Sequence, residues 1–145
     1  MKVLPKLKVW QWLLVFLVAA WLIDWVIQRP DSRTRELNAA IAAEGSEALK
    51  NYPYPFHVLR VEDGKAVMGT PRSREVSVGK AISIIYPDVN VLDTNDAAFI
   101  HAQKELAGLQ FEAKDIVLRQ AGIKTVVWEI DRRWLGSHGV DVPKD

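Results

Sequence analysis

The sequence predicts an α+β fold in which an N-terminal transmembrane helix precedes a small antiparallel sheet packed on helices. Three observations carry this reading. An apolar run extends from Val9 to Ile27, an Asp63-Gly64 pair separates two strand-like segments, and apolar residues from Asp96 to Ala121 recur at three- and four-residue steps.

The 19 residues from Val9 to Ile27 would rise about 28 Å as a helix, close to the roughly 30 Å hydrocarbon core of a bilayer. Trp10 and Trp12 stand at one end and Trp21 and Trp25 at the other, where amphipathic indoles favour membrane interfaces. Lys2, Lys6 and Lys8 precede the run, which also resembles a secretory signal with cleavage after Ala20. Because Trp21, Leu22, Ile23, Trp25, Val26 and Ile27 continue the apolar run beyond that point, an uncleaved anchor fits better. Asp24 lies within a turn of the end, beside Trp25, where a carboxylate reaches the interface or a partner helix.

Arg29, Arg33 and Arg35 nearly balance the three lysines, so charge alone does not orient the span. A short basic N-terminus ordinarily stays in the cytoplasm. The expectation is therefore a single-pass inner-membrane protein, with residues 1–29 as anchor and residues 30–145 as one extracytoplasmic, periplasmic domain. The chain has no cysteine, which excludes a disulfide framework and lipid attachment through an N-terminal cysteine.

Residues 31–145 carry 15 basic and 17 acidic side chains, a net charge of −2. This length suits one domain with a single core, and the mildly acidic mixture argues against general nucleic-acid binding.

Within the domain, Asp31 or Ser32 can cap a helix starting near Arg33, with Leu37, Ala40, Ile41, Ala48 and Leu49 on its apolar side. Gly45 weakens it, and Pro53 and Pro55 stop it. Phe56–Glu62 and Lys65–Thr70 then form a hairpin through a type I′ turn. That turn pairs Val61 with Ala66, Leu59 with Met68 and His57 with Thr70 on the core side. Arg60, Glu62 and Lys65 fall on the other side, with Glu62 and Lys65 as an ion pair.

Pro71-Arg72-Ser73-Arg74 reads as a loop, and Val76–Tyr86 is open between a strand and a short helix capped by Ser77, leaning towards the helix, and is ended by Pro87-Asp88-Val89-Asn90. Thr94 or Asn95 caps the long helix, whose Phe99, Ala102, Leu106, Leu109, Ala113 and Ile116 face the core. The same recurrence admits a coiled-coil seam and self-association, although the alanines and Gly108 suit packing on a sheet. Asp115 and Arg119 form a surface pair, and Gly122 supplies a stop. Ile123–Asp131 is a strand in which Val126, Trp128 and Ile130 alternate with Thr125, Val127 and Glu129.

Helix, hairpin, helix and strand in this order resemble the BON domain of bacterial envelope proteins, an αββαβ module. The likeness is carried by Val61-Glu62-Asp63-Gly64-Lys65-Ala66-Val67-Met68-Gly69-Thr70 and by Ala121-Gly122-Ile123-Lys124-Thr125-Val126-Val127. It requires an insertion between Ser73 and Asp96. The resemblance implies a non-enzymatic module that binds phospholipid, another envelope component or its own copies, with no catalytic residues.

Chemical motifs do not assemble in the sequence. Gly79-Lys80 lacks the rest of a phosphate loop, with Arg74 and Ala81 at the required positions. Gly45-Ser46 is not followed by the paired acids of a nucleotidyltransferase, since Glu62 and Asp63 are adjacent. His57, His101, His138 and Glu105 match no zinc spacing, and nucleophilic catalysis lacks both cysteine and a Gly-x-Ser-x-Gly elbow. No cofactor, metal or catalytic residue is therefore expected.

Two surface groups stand out: the basic loop of Arg72 and Arg74, and Arg132, Arg133, Trp134 and Leu135, which join charge to an aromatic step. Either suits anionic lipid headgroups beside a membrane, and Trp134 can alternatively cover the open end of the core. The functional expectation is a membrane-tethered envelope binding or scaffolding module. An accessory subunit of an inner-membrane complex, held through Asp24, Ala19 and Ala20, and an enzyme of unrecognised type are the alternatives.

Overall fold

A computed structural model describes residues 8–28 and 31–144, so Lys2, Lys6 and Arg29 lie outside the described residues. The chain divides into two compact units, Met1–Asp31 and Ser32–Asp145. The first contains α1 (Val9–Gln28), within which Val9–Val26 is long and apolar enough to cross a membrane, with mean hydropathy 1.8 and none of it buried. Trp21 and Trp25, one turn apart, stack with ring centroids 6.5 Å apart.

The second unit is α+β, with α2 (Ser32–Glu44), α3 (Glu47–Lys50), β1 (Val58–Glu62), β2 (Lys65–Thr70), α4 (Val78–Ile85), α5 (Ala97–Leu118), β3 (Thr125–Ile130) and α6 (Arg132–Ser137). The single helix expected from Arg33 to Lys50 is two helices. At Gly45 a Cβ would stand 2.7 Å from the Ile41 carbonyl oxygen and 3.0 Å from a Leu49 methyl, so the chain bends there on glycine. Ser46 restarts it, its hydroxyl accepting the Leu49 N–H, while Glu112 of α5 accepts both the Ser46 N–H and O–H at 2.9 Å. The bend turns Ala48 outward to solvent, contrary to the expected apolar side, and leaves Leu37, Ile41 and Leu49 in the core.

The Asp63-Gly64 turn has φ of 48° and 78°, as a type I′ turn requires. It sets Glu62 opposite Lys65, Val61 opposite Ala66 and Arg60 opposite Val67. Beyond Arg60 the expected register fails, because a bulge brings Val58 rather than Leu59 opposite Met68 and bonds the His57 carbonyl to the Gly69 N–H. Asn38 of α2 fixes this arrangement: its amide accepts from the Val58 N–H at 2.7 Å and donates to the Val58 carbonyl at 3.1 Å. Val58 is thus buried and Leu59 only half-buried.

The sheet order is β1-β2-β3, but β3 runs parallel to β2, so the sheet is mixed rather than antiparallel. The reason lies in α5, which carries the chain back across the domain before β3 begins and so returns it in the same direction as β2. Asp96 caps α5 in place of Thr94 or Asn95, accepting the Phe99 N–H at 3.1 Å. The helix ends at Leu118, before the expected Ala121, and Gly122 turns the chain with φ of 80°. Phe99, Ala102, Leu106, Leu109, Ala113 and Ile116 are buried as the spacing indicated, together with Val117. Asp115 and Arg119 pair at 3.1 Å. Ser77 caps α4, which buries Ala81, Ile82 and Ile85.

The main core lies between one face of the sheet and α2, α3, α4 and α5, and a smaller cluster of Val76, Leu135 and Val142 closes the end near α6. On the solvent side of the hairpin, Glu62 pairs with Arg60 at 2.8 Å rather than with Lys65. The Arg60 guanidinium also bonds both oxygens of Glu129, each at 2.9 Å, reaching from β1 to β3. The bidentate fork outcompetes a single flexible ammonium for these carboxylates.

Candidate functional site

The most organised polar site joins the end of β3 to the segment before β1. Tyr54 is fully buried, with its ring edge-on to Phe56 at 4.8 Å and to Trp134 at 5.0 Å. Its hydroxyl donates to Asp131 Oδ2 at 3.0 Å, and the Trp134 N–H donates to Asp131 Oδ1 at 3.0 Å, capping α6. The Asp131 N–H donates to the Thr70 carbonyl at 2.8 Å, so the carboxylate is held by the sheet itself. Burial, and then the adjacent Asp131 charge, push the Tyr54 phenol far above its ordinary range, and it remains a neutral donor.

Gly69 makes room for this contact. A Cβ there would stand 2.7 Å from the Tyr54 hydroxyl and 3.3 Å from Asp131 Oδ2. His57 completes the group, with Nε2 3.7 Å from Asp131 Oδ2 and Nδ1 2.6 Å from the Pro55 carbonyl. A carbonyl only accepts, so Nδ1 carries a proton, and the Nε2 side of the ring faces the Asp131 carboxylate.

Two shallow depressions share Pro55 and His57. One, of about 260 Å³, is bounded further by Asp131, Arg133, Trp134 and Ser137. The other, of about 380 Å³, lies against Asn38, Ile41, Ala42, Leu49, Lys50 and Phe56. Ser137 Oγ lies 3.1 Å from His138 Nδ1, but its hydroxyl donates to the Trp134 carbonyl at 2.6 Å, and His138 Nδ1 approaches the same carbonyl at 2.8 Å. Nδ1 must therefore hold a proton and cannot accept one from Ser137.

A second polar group lies between α4 and α5. The Tyr86 hydroxyl donates to Glu105 at 2.7 Å, and burial followed by that carboxylate pushes Tyr86 up to about 12. Burial also raises the Tyr52 phenol, whose hydroxyl has no hydrogen-bond partner. His101 Nε2 lies 3.7 Å from Glu105, whereas His57 and His138 belong to the Asp131 end. Among the described residues no group of three or more His, Cys, Asp or Glu side chains is placed to hold a metal.

The residues singled out from the sequence fall in different settings. Val9, Trp10, Trp12, Trp21, Asp24 and Trp25 all lie exposed on α1, and Ile27 falls within the same helix. Arg72 is half-buried and Arg74 exposed. Arg133 is exposed, but Arg132 donates to the Pro143 carbonyl at 3.3 Å, and its Nε is buried without a partner. Glu75 stands near both Arg132 and Arg74, its carboxyl held below the ordinary range first by the Ser73 hydroxyl, then by its own backbone N–H and these cations.

The expected aromatic step at Trp134-Leu135 is not free surface. Leu135 is fully buried and Trp134 half-buried against Tyr54, because Asp131 starts a helix that turns both side chains inward. Sequence reasoning passed over Asp131 and Tyr54. An Asp directly before Arg132-Arg133-Trp134-Leu135 was a legible helix cap, whereas the Tyr54 contact spans 77 positions and leaves no local signal.

No protein-family model matches the chain, and neither a curated protein nor a solved structure matches it.

Proposed function

We propose that this chain is a single-pass membrane protein whose C-terminal domain, of BON-like topology and outside the cytoplasm, is a non-enzymatic binding or scaffolding module of the cell envelope. The observation that carries this reading is α1, with 18 successive residues of mean hydropathy 1.8 and no part of them buried. An apolar helix left uncovered in water is costly, and a bilayer removes that cost. The order helix, hairpin, helix, strand supports the envelope-module part of the reading, with α4 inside the expected insertion. The engaged Ser137 and His138 favour binding over hydrolysis.

The test is alkaline extraction of membranes containing the full chain, combined with reporter fusions after Asp145. Retention in the pellet with an active extracytoplasmic reporter is the expected result. Release of the intact chain, or a cytoplasmic reporter signal, would overturn it, and a mature chain starting at Trp21 would replace the anchor by a cleaved signal.

The second reading, an accessory subunit of an inner-membrane complex, draws on the shallow face of α1 formed by Leu14, Val15, Val18, Ala19 and Leu22. Small residues let membrane helices approach closely. It predicts a stoichiometric partner that is lost when α1 is exchanged for an unrelated apolar helix, and unchanged recovery would refute it.

A further inference from the structure

We propose that the outer face of α5 around Phe111 is where the domain touches an anionic lipid surface, an inference that rests on the membrane-tethered reading above. Phe111 is 67% exposed, and outside α1 only Leu92 among the described large apolar residues exposes a greater fraction. Its neighbours one turn earlier are Ala107 and Gly108, both small and exposed. Arg72 and Lys114 join Phe111, Ala107, Gln110 and Trp128 around one small depression of about 180 Å³. Lys104 adds a third cation on the same side of the helix, two turns before Phe111.

None of these three cations forms an ion pair among the described residues. The carboxylates of α5 are engaged elsewhere: Glu105 by Tyr86, Glu112 by Ser46 and Asp115 by Arg119. The domain as a whole is mildly acidic, so a cationic ring around an exposed phenyl is not a consequence of composition. An aromatic that enters the interface while lysine and arginine meet headgroup phosphates is the chemistry of peripheral membrane contact.

Location supplies the second argument for lipid over an acidic protein. Only three residues separate α1 from α2, a length that spans at most about 11 Å when extended. A membrane-inserted α1 therefore keeps the domain permanently within reach of headgroups, and weak contacts suffice.

Because the chain has no cysteine, Ala107→Cys gives a single attachment point for a polarity-sensitive fluorophore on the full chain, and Leu92→Cys gives a control. The labelled proteins are reconstituted into vesicles of phosphatidylcholine alone or mixed with phosphatidylglycerol, each carrying a lipid-attached quencher. Quenching at position 107 above that at position 92, in the mixed vesicles only, is expected. Arg72→Gln or Lys114→Gln should each weaken it about fivefold, and added salt should weaken it too.

Equal quenching at the two positions, or quenching indifferent to phosphatidylglycerol, would overturn the inference. So would energy transfer between differently labelled copies at position 107, which would assign the face to a second chain. Alkaline extraction of the same vesicles separates the two ideas: a released protein sinks the tethered reading, whereas a retained protein with position 107 in water sinks only the lipid-facing helix.

Discussion

Two carboxylates tie the last strand of the sheet to the segment around the first, and they do so in opposite environments. Glu129 lies on the solvent side, bonded twice by Arg60, which it shares with Glu62. Asp131 lies two residues later, 5% exposed, bonded by the Tyr54 hydroxyl and the Trp134 N–H. The exposed pair has the stronger individual contacts, yet water competes for every one of them. The buried carboxylate has weaker, neutral donors, but nothing replaces them when one is removed. The contrast teaches that ion-pair geometry and contribution to stability are separate quantities.

The largest effect is expected from Asp131→Ala. It removes the cap of α6 and leaves the buried Tyr54 hydroxyl without its acceptor, together worth about 3 kcal/mol. Urea unfolding of the full chain in detergent measures it. Asp131→Asn keeps the oxygen that caps α6 and should recover most of the loss, to within about 1 kcal/mol. If the alanine variant were no weaker than Glu129→Ala, burial would not be what separates the two sites.

Next in size is Gly69→Ala, where the new methyl meets the Tyr54 hydroxyl at 2.7 Å. Displacing a buried, hydrogen-bonded phenol should cost about 2 kcal/mol. The double variant with Tyr54→Phe tests the cause, because removing the hydroxyl should relieve the clash and make the two changes less than additive. Strict additivity would show that Gly69 is needed for some other reason.

The smallest effect belongs to the exposed cluster. Arg60→Met should cost at most about 1 kcal/mol, because both partners are more than a third exposed and solvent screens them. The Arg60 guanidinium holds the Glu129 carboxyl below its ordinary 4.5. As pH falls through 4.5 the unfolded chain takes up a proton that the folded chain still refuses, so the pair's contribution is complete above that value and fades beneath it. Unfolding midpoints measured between neutral and acid pH should show a shallower acid loss for Glu129→Gln. Molar salt should likewise diminish the effect of Arg60→Met and leave that of Asp131→Ala unchanged.

What was legible in the sequence follows the range over which each feature is decided. The turn at Asp63-Gly64 needs two residues with positive φ, so the hairpin and its first three pairs could be read from neighbours alone. The apolar spacing of α5 and the cap at Ser77 are equally local: α4 follows Ser77 and α5 buries the spaced residues, although α5 starts from Asp96 and stops at Leu118. The bulge after Arg60 is not local, because Asn38, twenty positions away, holds Val58 at the sheet edge. The break at Gly45 shows the same limit: glycine alone marks weakness, but the bend is completed by Glu112 from α5.

The sequence by itself determined the long apolar helix, the tight hairpin, the amphipathic long helix and the α+β class, because each depends on periodicity or on dihedral preferences within a few residues. Only the tertiary structure decided the parallel pairing of β3, the inward turn of Trp134 and Leu135, and the meeting of Tyr54, His57, Gly69 and Asp131. Those features depend on which distant backbone segments lie side by side. One carboxylate, placed by the crossover through α5 at the end of a parallel strand, gathers donors from parts of the chain that share no local pattern.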